Sequence, residues 1–195
     1  MPFPIEIVTT DPDNVSFLKR AFASLNKIQA EFTFDMAPQR LLEKAYVYSL
    51  PIYHTGDVKK WLEDYKAEAG GSRPYIILVV NAQLSSQTKP SRLFGSHWAE
   101  EGLAVFTTDS FHQFVYDKIR FCRYYLVRYA LSFLNPQIKS HPDTRDCMFD
   151  GKNYKKDLKY SYDSGRLCNE CGDSVERDHT IPAQADHPFR AKLTT

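Results

Sequence analysis

The spacing of apolar and polar positions along this chain changes repeatedly, and each change marks an element. Residues 3–9, FPIEIVT, alternate and predict a strand. Asp11-Pro12-Asp13 then opens a helix in which Val15, Phe17, Leu18, Ala21, Phe22, Leu25 and Ile28 recur at helical spacing, while Lys19, Arg20 and Lys27 face away. Phe32 and Phe34 alternate in a second strand. Residues 40–46 predict a short helix, followed by the extended piece YVYSLPIY with a turn near Pro51. Thr55-Gly56-Asp57 caps a helix over VKKWLEDYKAEA that stops at Gly70-Gly71.

Residues 74–80, PYIILVV, form a continuous apolar run rich in β-branched residues, the pattern of a central strand buried on both faces. In SRLFGSHWAEEGLAVFTT two extended pieces flank Glu100-Glu101-Gly102, which predicts a hairpin or a loop into an edge strand near Ala104–Thr107. The longest helix is expected over 110–134, capped by Asp109 and ending before Asn135-Pro136. Its apolar stripe is Phe111, Val115, Ile119, Cys122, Leu126, Tyr129 and Phe133. This order of elements predicts an α+β (α/β-like) domain with helices packed on a mixed sheet. A single globular domain is expected over 1–172, with a cysteine-containing module at 140–172. After Cys171 the chain turns polar and aperiodic, so 173–195 is expected to be a mobile or loosely docked tail.

With 195 residues the chain is long enough to build a substantial core. A net charge of +1 gives no general affinity for polyanions. No apolar run approaches the length of a membrane span, and MPFPIEIVTT does not have the pattern of a secretory signal. Four cysteines, three of them clustered, do not suggest a secreted disulfide framework, so the expected location is the cytoplasm. No phosphate-cradling glycine loop and no G-x-S-x-G nucleophile elbow occurs.

The chemistry concentrates in 140–171. Cys168-Asn169-Glu170-Cys171 is a C-x-x-C, the spacing at which two thiolates hold one tetrahedral ion from a tight turn. Cys147, twenty residues before Cys168, supplies a third soft ligand. The fourth has two candidates. His141 reaches back through the turn-forming P-D-T-R-D; Cys122 lies on the apolar stripe of the long helix, where a free cysteine ordinarily behaves as a small hydrophobe. A redox dithiol is the competing reading of the C-x-x-C, but such pairs normally sit at a helix start in a βαβ context. One zinc ion, structural in role, is the expected cofactor.

Two other constellations stand out. His97, Glu100 and Glu101, with His112 farther on, would form a hydrolytic site if the fold gathered them. Lys118, Arg120, Arg123, Arg128, Lys139 and Arg145, interleaved with Tyr116, Tyr124 and Tyr125, would make a nucleic-acid surface. Lys152, Lys155, Lys156 and Lys159 add to it, but Asp143, Asp146, Asp150 and Asp157 are mixed in, the pattern of a solvated face.

From Tyr75 to Cys171 the chain resembles the archaemetzincins, a family of zinc metallopeptidases. The resemblance rests on YIILVVNAQL, then RLFGSHWAEEGLAVFTTDSF, then a closing D…C-x-x-C. The family pattern is H-E-x-x-H-x-x-G-x-x-H-C-x4-C-x-M. His141 matches its third histidine, Cys147 its second cysteine, and Met148 falls one place before its methionine. Asp157, Cys168 and Cys171 match the closing part, whereas Pro142 stands where the first cysteine would be. Counting back from His141 puts Leu131-Ser132-Phe133-Leu134-Asn135 in the H-E-x-x-H slot, and RYYLVRYALSFL holds neither His nor Glu. The resemblance therefore implies a metzincin-like scaffold that has lost peptidase chemistry, which needs two imidazoles one helical turn apart and a carboxylate base. It also implies one zinc held by His141, Cys147, Cys168 and Cys171. The expected role is binding of a protein or peptide, by strand addition at the edge strand, with no membrane partner.

Overall fold

The computed structural model describes residues 2–68, 74–86, 92–152 and 155–178. Its centre is a five-stranded sheet. Strand β1 (Phe3–Thr9) pairs in parallel with β2 (Phe32–Met36) on one side and β4 (Tyr75–Val80) on the other. β4 pairs in parallel with β8 (Leu103–Thr107), and β7 (Gly95–Trp98) closes the sheet antiparallel to β8. The order is β2-β1-β4-β8-β7. A smaller sheet joins β3 (Ile52–His54), β5 (Gln83–Ser85) and β6 (Arg92–Leu93).

The alternation of side chains along each strand divides the interior in two. Ile5, Ile7, Phe32, Phe34, Ile77, Val79, Ala104 and Phe106 face one layer, built by helices α1 (Asn14–Ile28) and α4 (Lys118–Leu134). Val8, Ile76, Leu78, Val80, Leu103 and Val105 face the other, built by α2 (Gln39–Val47) and α3 (Thr55–Glu68). β4 is apolar on both faces because it lies inside the sheet with helices above and below. The expected α+β fold with a mixed sheet is the observed one.

Several boundaries differ from the sequence reading. Tyr46 and Val47 are the end of α2, so the extended piece shrinks to β3. Thr55-Gly56-Asp57 lies inside α3 rather than ahead of it, and Gly70-Gly71 falls outside the described residues. The predicted helix at 110–134 splits. Phe111–Gln113 form a 3-10 turn, and α4 begins only at Lys118, where the Asp117 carboxylate accepts the amides of Ile119 (2.8 Å) and Arg120 (3.0 Å). Asp109, the expected cap, instead receives the Lys155 ammonium.

The expected edge strand near Ala104–Thr107 is corrected. β8 is interior, paired on both sides and buried along its length, and β7 is the edge. Residues 173–178 continue the last helix, α6 (Asn169–Asp178), and Val175 joins the core. Residues 179–195 lie outside the described residues. Among the described residues no helix is long and apolar enough to cross a membrane.

Candidate metal centre

After α4 the chain loops back along its own helix. Asn135 caps the end of α4 and donates to the Ser174 carbonyl (3.1 Å) and hydroxyl (2.9 Å), tying α4 to α6. The loop 141–151 closes on itself through His141 N–H to Phe149 O (3.0 Å) and Gly151 N–H to His141 O (2.7 Å). A Cβ on Gly151 would sit 2.7 Å from that carbonyl, so glycine permits the closure. Inside the loop, one Asp150 carboxylate oxygen accepts the amides of Arg145 (2.9 Å) and Cys147 (3.0 Å), which orients Cys147.

The second half of the site comes from α5 (Leu158–Ser164), which ends at Gly165 in the left-handed region (φ 56°). The following residues run beside Cys147, with Met148 N–H donating to Arg166 O (2.7 Å). This places Cys168 just ahead of α6 and Cys171 in its first turn. The pair therefore does sit at a helix start, the location that the redox reading requires.

What separates the two readings is the company that the pair keeps. The ligand atoms of His141, Cys147, Cys168 and Cys171 all lie within 4.8 Å of one another. His141 Nε2 is 3.2 Å from the Sγ atoms of both Cys168 and Cys171. Ligands on a tetrahedral zinc with bonds of about 2.0–2.3 Å stand roughly 3.5–3.8 Å apart, so the cluster has the size of a coordination shell. His141, Cys147 and Cys171 are buried and Cys168 is partly so. The backbone N–H groups of Cys168 (3.3 Å) and Phe149 (3.4 Å) both point at Cys147 Sγ, which favours a thiolate there. A hydrogen bond from the Cys171 thiol, with those amides, lowers Cys147 to about 5; the same contact raises Cys171. A second negative sulfur in this space needs a cation. The donor set, its burial and its spacing fit zinc. Arg145 bridges Asp143 (2.9 Å) and Glu170 (2.8 Å) on the rim.

Cys122 stands apart from this group. It is wholly buried in α4, and burial pushes its thiol up to about 12.

The hydrolytic constellation is not gathered. Glu101 pairs with Lys59 of α3 (2.6 Å), on one face of the sheet, whereas the His97 ring faces Tyr129 of α4 on the other (5.5 Å between centroids). Glu100 and His112 are exposed. Of the tyrosines in the basic, tyrosine-rich stretch, Tyr116 is exposed. Tyr124 and Tyr125 are buried, Arg120 lies over the Tyr162 ring, and Lys118 lies over Phe17.

Sequence reasoning missed a cavity of about 270 Å³ between β7, α4 and the cysteine module. From β7 it takes Gly95, Ser96 and His97, from α4 Tyr125, Arg128 and Tyr129, and from the module Ser140 and Lys152. Arg128 had been placed on a solvated face, yet it is only 7% exposed. The clue was that Arg128 sits between Val127 and Tyr129 in a helix with no polar face around it.

No family model matches the chain, and no curated protein matches it. Solved structures do. Archaemetzincin from Methanopyrus kandleri superposes with a TM-score of 0.62 over 91% of this chain and 95% of that one, at 15% identity. Archaemetzincin from Archaeoglobus fulgidus, complexed with malonate, superposes with a TM-score of 0.50 over 89% of this chain and 99% of that one, at 14% identity. The class defined here is thus a mixed α/β fold with a His/Cys3 cluster. More particularly, the fold is that of the archaemetzincins.

Proposed function

We propose that this chain is a zinc-binding protein on an archaemetzincin scaffold that performs no peptide hydrolysis and acts by binding a protein or peptide. One observation carries the reading. The residues that α4 turns toward the cavity under β7 are Tyr125, Arg128 and Tyr129, so the i, i+4 pair is two tyrosines. Zincin chemistry needs two imidazoles at that spacing and a carboxylate beside them. α4 contains no histidine and no glutamate.

His141, Cys147, Cys168 and Cys171 would hold a single zinc ion. When bound, the ion supplies a cross-link between the 141–151 loop and the start of α6, a structural role with all four positions taken by protein. The residues themselves orient the sulfurs: Asp150 fixes the turn at Cys147, and the amides of Phe149 and Cys168 hold its thiolate. The partner segment would add as a strand along the outer edge of β7, whose residues line the cavity. The cytoplasm is the proposed location, since cysteines kept as metal ligands suit a reducing compartment.

Metal stoichiometry tests the reading. One zinc per chain is expected for the wild type and for Cys122→Ser. In His141→Ala, zinc affinity should fall at least tenfold. Two metals per chain, or zinc-dependent cleavage of a peptide library, would sink the proposal. If Cys122→Ser lost zinc while His141→Ala kept it, the ligand set would be wrong.

A further inference from the structure

The cavity between β7, α4 and the cysteine module is charged in one sense. Among the described residues its lining includes Arg128, Lys152 and Lys155 and no carboxylate. Lys155 is partly compensated, because it donates to the Asp109 carbonyl (2.9 Å) and carboxylate (3.3 Å). Arg128 is not. Its guanidinium lies over the Phe149 ring, Nη2 makes one long contact to the Ser140 hydroxyl (3.4 Å), and Nη1 is buried with no hydrogen-bond partner. A buried guanidinium N–H without an acceptor costs about 1–3 kcal/mol, more where the charge is also unmatched. Among the described residues Lys152 donates to the carbonyls of Asp150 (3.1 Å) and Met148 (3.4 Å), and its ammonium lies over the Tyr124 ring (5.4 Å). Asp150 is buried close enough to attract the Lys152 charge; its Oδ2 accepts two backbone amides and its Oδ1 is buried with no hydrogen-bond partner, so it offsets part of the positive charge without pairing with either cation.

We infer that this cavity is a binding site for a doubly charged oxyanion, a phosphoryl group or a dicarboxylate, held by Arg128 and Lys152 with Ser96, His97 and Ser140 around it. The planar guanidinium offers its free N–H to one oxygen, as such groups do for phosphate and carboxylate. The ammonium of Lys152 supplies the second positive charge. Burial and then the charge of Arg128 hold Lys152 down at about 6, so an anion entering the cavity restores its proton. His97, lowered to about 4 by burial and then by Arg128, is neutral at pH 7 and offers the anion one ring N–H. No zinc ligand takes part, so this site goes beyond the proposed zinc centre.

The test is calorimetric titration of the zinc-loaded protein with inorganic phosphate and, separately, succinate, at ionic strength fixed with chloride. Saturable one-site binding of at least one of the two is expected. Lys152→Met removes the ammonium, which lies over the Tyr124 ring, keeps an unbranched chain, and should weaken that binding at least tenfold. Arg128→Gln should do the same. Lys59→Met, which removes a cation on the opposite face of the sheet, should leave it unchanged. Zinc content is measured on every variant, so collapse of the module cannot imitate loss of the anion. Tighter binding of phosphate assigns a phosphoryl ligand, and tighter binding of succinate assigns a dicarboxylate. No binding of either, or Lys152→Met binding as wild type, overturns the inference.

Discussion

His97 shows how one residue registers the whole cavity. Its ring packs against Tyr129 and shares the space with Arg128, so its charged form is disfavoured by burial and then by the guanidinium charge. In the unfolded chain it titrates near 6.5, and in the folded protein near 4. Above 6.5 both states are neutral and the folded state keeps its full advantage. As pH falls from about 6.5 to about 4 the unfolded chain takes up a proton that the folded protein refuses, so stability is lost. The loss is at most about 3 kcal/mol. Acid also releases zinc from thiolates, so the informative quantity is the difference between wild type and His97→Gln at each pH and equal zinc content. Wild type should lose stability relative to His97→Gln steadily as pH falls from 6.5 to 4, and the difference should stay flat above 7. A flat difference throughout would show that the ring reaches solvent.

At the scale of elements, α4 is where pattern and structure part. Phe111 and Val115 fall in phase with Ile119 and Cys122, and phase alone extends the helix back to Ser110. The backbone instead breaks at Asp117, whose carboxylate accepts two of the orphan amides of the first turn. Asp117→Ala should therefore cost about 1 kcal/mol in denaturant unfolding, and Asp117→Ser should recover most of it. Equal losses for the two variants would mean that the carboxylate does not cap. Local signals were sufficient where the chemistry is carried by residue type. The gathering of His141, Cys147, Cys168 and Cys171 was legible because few side chains suit a soft metal and their spacing is narrow. They were insufficient where long-range pairing decides. β8 was expected at an edge because it closes a hairpin, although LAVFT is apolar on both faces, as an interior strand must be. The cavity was least legible of all. Arg128, Lys152 and Lys155 come from separate elements, and each belongs to a type that is ordinarily exposed.

At the scale of the molecule the cysteine module does not fold on its own apolar content. It contributes Cys147, Met148, Phe149, Leu158, Tyr162 and Cys171 to the core, with Ile138 and Val175 flanking it, while much of the rest is charged. The Tyr124 hydroxyl donates to Met148 O (3.1 Å) and meets Ser161 (2.9 Å), so α4 serves both the sheet and the module. An ion joining the 141–151 loop to α6 would hold the module shut, with the sheet resting on its own two-sided core. Chelation should then act unevenly. Amides that close the module, those of His141, Met148 and Gly151, should lose hydrogen-exchange protection tenfold or more, while those shared by β1, β4 and β8 should change far less. Because Ser140 and Lys152 reach the cavity from the module and Arg128 reaches it from α4, the same treatment should weaken phosphate or succinate binding. Uniform loss of protection over sheet and module would show one cooperative unit. Unchanged exchange on removal of a bound zinc would show that the ion is not structural. Selective loosening accompanied by a weaker anion site would mean that zinc at His141 and the three cysteines sets the shape of a cavity to which it contributes no ligand.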